Sequence, residues 1–289
     1  MAHSKHIGDL ERDKFWLRNG GDQNYSPLFV MTHGIPLASG DVLDWSFVNK
    51  FGSVIGASTS IVDLNQQVTP SIYTWPTNSF TVECISSGTS AASDTLLGTA
   101  ARKVTVFGLD SDFNDVSETF NMNGATVTSA GVQTFTRIHR AYVSECGTYN
   151  QTDVGPNAGD ITVRTTGAGQ IHVQLLKTIP TIAFGQSQVA RYTIPSGYTG
   201  YLQHIVISSG SNKPATFYLW QRTNADTTSA PFSPKRLIDV FDGVNTTLTR
   251  SWEQPIKMLE KTDVWMSVKG SGADTNASAA FDIILVRNT

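Results

Sequence analysis

Val42-Leu43-Asp44-Trp45-Ser46-Phe47-Val48 opens a pattern that the rest of the chain keeps: Leu43, Trp45 and Phe47 alternate with Asp44 and Ser46. A period of two is the spacing of a strand with one buried face, because successive side chains of a pleated backbone point to opposite sides. After Val48 no amphipathic helical stretch of a dozen residues occurs before the C-terminus. The clearest strand-like runs are Phe80–Ile85, Lys103–Phe107, Val116–Met122, Thr134–Val143, Ile161–Arg164 and Gln170–Leu175. A second group comprises Val189–Ile194, Leu202–Ile207, Ala215–Trp220, Leu248–Trp252, Val264–Val268 and Phe281–Val286. Between them lie Asn123-Gly124, Pro195-Ser196-Gly197 and Asp242-Gly243, read as turns because glycine supplies positive φ and proline presets its own.

Short strands at this spacing argue sandwich or barrel, and the expected fold is all-β, with two β-sandwich, jelly-roll-like domains. Leu176 to Gln186, with Pro180 and Gly185, alternates more weakly and is the expected boundary. The domains are therefore expected at 41–180 and 181–289, preceded by an N-terminal arm at 1–40. Within that arm, Ile7 to Leu17 reads as a short helix with Leu10, Lys14 and Leu17 on one side, or as a lead-in strand.

Charged residues are 16% of the 289, against about 25% in a typical soluble domain. This suits a β protein with a neutral polar surface, and equally one partly covered by neighbours, since interface cores are depleted in Lys and Glu. The net charge of −3 and the absence of a Lys/Arg run argue against direct binding to nucleic acid. The longest apolar runs, such as Phe281 to Val286, fall far short of the ~20 residues of a membrane helix. Met1 to Leu10 has no apolar core of a secretory signal, so the Asn150, Asn245 and Asn276 acceptor tripeptides carry no weight. Cys84 and Cys146 match no zinc or redox spacing and are read as buried small hydrophobes.

Catalytic signatures are missing. None of the six histidines forms HExxH, and there is no G-x-S-x-G, P-loop or G-x-G-x-x-G. His139, between cations in Arg137-Ile138-His139-Arg140, is read as a satisfied strand histidine. No cofactor is expected. The one ion-site pattern is Asp110-Ser111-Asp112-Phe113-Asn114-Asp115, where Asp110, Asp112 and Asn114 imitate the start of an EF-hand loop. Asp115 then stands where the sharp turn wants glycine and Asn121 where a bidentate glutamate belongs, so a hairpin turn competes with a calcium site. The six tryptophans, at 16, 45, 75, 220, 252 and 265, with Tyr198 and Tyr201, could build a sugar-stacking platform, burial in a core or subunit contact being the alternative; Trp16, Tyr198, Tyr201, Trp220 and Trp252 are the candidates for interface or glycan.

The passage Ala101 to Asp110 is a strand ending in Gly-Leu-Asp, and Val116 to Gly124 is a strand with Ser-Glu-Thr followed by an Asn-Gly turn. Together with Phe135 to Val143 and Asn157 to Ile161, this resembles virion structural proteins of tailed bacteriophages. The resemblance runs more weakly through Tyr192 to Thr199 and Ala280 to Val286, while residues 1–48 depart from it. It implies no active site. It implies a capsid decoration, neck or collar, or tail component that self-associates, a trimer being expected, and contacts capsid, portal-vertex or tail proteins. Such a protein would be made in the host cytoplasm and end in the virion. Two rivals stand beside this reading: a module binding host-surface glycan, and a polysaccharide hydrolase with paired carboxylates in a cleft.

Overall fold

The computed structural model describes residues 16–18, 25–27, 44–87, 91–149, 156–177, 183–210 and 213–288, the first two stretches as backbone only. The strands are β1 (Trp16–Arg18), β2 (Tyr25–Pro27), β3 (Trp45–Ala57), β4 (Val62–Asp63), β5 (Val82–Ser87), β6 (Ala101–Leu109), β7 (Asp115–Asn121), β8 (Arg137–Cys146) and β9 (Asp160–Thr165). They continue as β10 (Ile171–Leu175), β11 (Arg191–Thr193), β12 (Tyr198–Ser209), β13 (Ala215–Arg222), β14 (Arg236–Val244), β15 (Thr247–Met258), β16 (Asp263–Gly270) and β17 (Thr275–Arg287). One 3-10 turn, Ala91–Ser93, is the only helical element among the described residues. The chain is all-β, as its alternation predicts.

A five-stranded sheet, in the order β11-β16-β13-β14 with β4 also on β16, and a four-stranded sheet, in the order β15-β12-β17-β3, form the larger sandwich. In sequence order eight of these strands pair as nested hairpins: β13 with β14, β12 with β15, β11 with β16 and β3 with β17. That nesting, split between two facing sheets, is a jelly roll. Its core follows from the alternation. Phe217, Leu219, Val264, Met266 and Val268 meet Leu202, Ile205, Ile207, Phe281, Ile283 and Leu285 from the opposite sheet. Each buried phenylalanine or aliphatic side chain of this kind stabilises by roughly 1.5–3 kcal/mol.

The expected domain division changes at its start. β3 and β4, placed by sequence in 41–180, belong to the sheets of the C-terminal sandwich, where Val54, Ala57, Val62 and Leu64 lie in its core. The first sandwich is an insertion between the first two strands of the jelly roll. It has only six strands, as sheets β10-β9-β5 and β7-β6-β8, around Val82, Cys84, Val104, Val106, Phe135, Ile138, Ile161, Val163, Val173 and Leu175. Nothing local in the sequence ties Trp45–Ala57 to Thr275–Arg287, because the pairing closes over more than two hundred residues.

Further findings concern single elements and residues. β14 is absent from the sequence reading: it is an edge strand whose Leu237 and Val240 both remain exposed, so its alternation is weak. Asp242-Gly243 is not the expected turn. It lies inside β14 at a register shift against β13, where Gly243 at φ 64° supplies the extra residue of a bulge. Trp16 and Leu17 are in β1, paired antiparallel with β2, the strand alternative of that segment and not the helix; the rest of Ile7–Leu17 lies outside the described residues. Cys84 is buried as expected but Cys146 is exposed, and the two are free thiols.

Candidate functional site

Strand alternation turns Val264, Met266 and Val268 of β16 into the jelly-roll core and therefore points Asp263, Trp265 and Ser267 out of its other face. On neighbouring β11, Tyr192 faces in while Arg191 and Thr193 share the outer side, in register with Trp265 and Asp263. The insert packs over this face, so a polar seam is buried between the two sandwiches.

Arg137, the first residue of β8, is 2% exposed and Asp263 is fully buried. All five N–H groups of the guanidinium find acceptors. Nε donates to Asp263 Oδ1 at 2.9 Å, Nη2 to Asp263 Oδ2 and Ala225 O at 3.2 Å each, and Nη1 to Pro76 O at 3.1 Å and Thr136 O at 2.9 Å. Asp263 also accepts from Thr193 Oγ1 at 2.7 Å and from Arg222 Nη2 at 3.0 Å. Beside it, Arg137 and Arg222 lie 5.3 and 5.4 Å from the ring centre of Trp75, which packs on Trp265 at 5.2 Å.

A second cluster continues the seam. Asp63 accepts from Tyr73 N at 2.8 Å and Ser267 Oγ at 2.6 Å, and burial raises its pKa. Arg191 stands 3.7 Å from the Tyr73 ring centre and donates to His172 O at 2.6 Å; burial lowers its pKa. His172 bonds Tyr73 Oη at 2.8 Å and Thr165 Oγ1 at 2.9 Å and stacks on Phe80, and burial beside Arg191 pushes its pKa down to about 3. Lys50 Nζ donates to His139 O at 2.5 Å, its pKa lowered to about 7 by burial and then by Arg191 and Arg140. Thr193 N donates to His139 Nε2 at 3.3 Å, which makes that nitrogen the acceptor. Burial and the adjacent Lys50, Arg191 and Arg137 hold His139 neutral, well below its ordinary pKa.

Chemically this arrangement holds two sandwiches together. Its carboxylates are engaged by the donors around them, and so are the buried acids of the insert. Asp94 accepts from Ser86 Oγ, Ala101 N, Ala158 N and Gly159 N, and Glu83 from Arg164 Nε, Gly167 N and Ala168 N. Among the described residues no three of His, Cys, Asp and Glu gather as a ligand set for a metal. Asp110 Oδ1 accepts from Asp112 N and Asn114 N, each at 2.9 Å, within the turn between β6 and β7.

The aromatic candidates are separated. Tyr198 and Tyr201 on β12 and Trp252 on β15 belong to one sheet of the jelly roll, and Tyr198 and Trp252 pack partly on its core. Trp220 on β13 belongs to the other, stacked between Tyr218 at 6.0 Å and Trp265 at 6.3 Å with Lys235 Nζ 4.8 Å from its ring. No single platform unites them. The side chain of Trp16 lies outside the described residues. Sequence reasoning missed Lys50, Asp63, Arg191, Arg222 and Asp263. The available signal was a charged residue among apolar neighbours, as in Arg191-Tyr192-Thr193-Ile194 and Asp263-Val264-Trp265-Met266.

No family model matches the chain, and no curated protein does. Among solved structures it is similar to the T=1 particles derived from infectious bursal virus, at 9% identity over 84% of this chain and 70% of that chain, with a TM-score of 0.24. It is also similar to the Gx strain of infectious bursal disease virus, at 11% identity over 84% and 71%, with a TM-score of 0.24. Likenesses at this level do not extend to a shared function.

Proposed function

We propose that this chain is a structural subunit of a virus particle and that its mechanism is assembly rather than catalysis. The jelly roll supports this reading, since capsid domains use it; lectins and cupins do as well, so the fold alone does not choose. The observation that carries it is the edge strand β3, which presents Phe47 and Phe51 on one face, 47% and 37% exposed. Exposed aromatics on an edge strand make a surface that soluble monomers rarely keep uncovered. Sister copies covering β3 would bury it, and closed symmetry would repeat the contact.

Within that role, the bacteriophage resemblance favours a capsid decoration, neck or collar, or tail component of a tailed phage. The proposed assembly is a trimer, with residues 1–40 as an arm reaching onto capsid, portal-vertex or tail neighbours and no direct contact with nucleic acid. Synthesis in the host cytoplasm and residence in the virion follow from it.

Sedimentation equilibrium of the wild type and of a Phe47→Asp, Phe51→Asp double variant tests the assembly. The wild type should sediment as an oligomer and the variant as a folded monomer; a monomeric wild type at tens of micromolar, or an unchanged variant, overturns it. Immunogold labelling of purified particles tests the location. Label over the shell means decoration, label at one vertex or the tail means neck or tail, and absence of label removes the virion reading.

A further inference from the structure

Beside the seam between the sandwiches lies a recess of about 160 Å³, open to solvent and lined by Trp75, Arg137, Arg222, Asn224, Phe232 and their neighbours. Arg137, held by the buried Asp263, lines it, and two further side chains face it. Arg222 places Nε and Nη2 on Asp263 Oδ2, at 3.3 and 3.0 Å, leaving Nη1 without a protein acceptor among the described residues. Its side chain remains 28% exposed. Phe232, on the 223–235 loop, is 61% exposed at the recess. The charges of Arg137, Arg222 and Asp263 leave one positive unit over, while Asp226 on the same loop is paired with Lys261 at 3.0 Å.

We propose that this recess is a binding subsite for one carboxylate-bearing sugar ring. A carboxylate matches the free guanidinium edge of Arg222 and the single uncompensated positive charge, and charge-assisted contacts of this kind are among the stronger hydrogen bonds. Phe232 offers apolar surface for the C–H face of a pyranose, and the Asn224 side chain, 3.4 Å from Ser233 Oγ, offers an amide for ring hydroxyls. The volume is below the ~300 Å³ at which drug-sized pockets begin, so one ring fits and an oligosaccharide would extend outward from it. This site shares no residue with β3, and its occupancy does not depend on the assembly reading.

Saturation-transfer NMR on the full chain with glucuronic acid, N-acetylneuraminic acid, galactose and inorganic phosphate tests the proposal. At least one acidic sugar should receive saturation and shift tryptophan fluorescence, while galactose binds at least about tenfold more weakly. Arg222→Gln should weaken the acidic sugar about tenfold, and Phe232→Ala, a change on an exposed loop that keeps the fold, several-fold. Three results overturn it: no transfer to either acidic sugar, equal binding of galactose or phosphate, or a Phe232→Ala protein that melts like the wild type and binds unchanged.

Discussion

Lys50 shows how a single residue sets a pH dependence. Its ammonium is buried against His139 O, near Arg191, and its pKa falls from 10.5 to about 7. Between those values the unfolded chain binds a proton that the folded chain does not, so stability rises with pH across about 7 to 10.5 and is lowest below about 7. Lys50→Met should remove that slope, and its stability relative to wild type should increase by on the order of 3 kcal/mol from pH 10 to pH 7. Urea unfolding at pH 7, 8.5 and 10 measures it; parallel curves for the two proteins would contradict the assignment. His172 acts in the same direction lower on the scale. With a folded pKa of about 3 against 6.5, its contribution is complete above 6.5 and lost as pH falls toward 3. His139 adds to this loss, and Asp63, whose pKa is raised, partly offsets it in acid. His172→Gln should therefore lose less stability than wild type between pH 7 and pH 4.5, as read by thermal melts at each pH.

At the scale of elements, β3 crosses the backbone of its neighbours more closely than any side chain permits. A Cβ at Gly52 would lie 2.1 Å from Leu64 O and 2.2 Å from Ala190 N, both backbone atoms. Leu64 and Ala190 are themselves joined by a backbone hydrogen bond of 2.8 Å. Gly52→Ala must push β3 away from this pair, at a cost of about 2–4 kcal/mol. Its urea midpoint should drop with an unchanged slope, whereas Gly272→Ala, which meets nothing within 4 Å, should leave the midpoint where it is. β14 teaches the opposite lesson about edges. Its two faces are both partly exposed and a bulge interrupts its register, so a period-two reading finds little there, although it forms six register pairs with β13.

On the scale of the whole molecule, the buried seam makes the insert and the jelly roll one compact unit over residues 48–289. Asp263 is its centre, receiving Arg137 from the insert and Arg222 and Thr193 from the jelly roll. Removing one partner of such a pair leaves buried charge uncompensated, at about 3–5 kcal/mol. Wild type should melt in a single calorimetric transition, and Asp263→Ala should separate it into two, one for each sandwich. A single sharp transition in the variant would show that apolar contacts alone couple them.

The sequence by itself determined the all-β class, most strand positions, the turns at Asn123-Gly124 and Pro195-Gly197, and the burial of Cys84, because each rests on residues adjacent in the chain. It also located His139 correctly among cations. Tertiary structure alone decided that β3 completes the jelly roll across an inserted sandwich, that Asp263 meets Arg137, and that Trp75 and Arg222 share a recess while Trp220 and Trp252 part company. Those outcomes depend on which strands pair over long separations, and a period of two says which face a side chain takes but not what will lie against it.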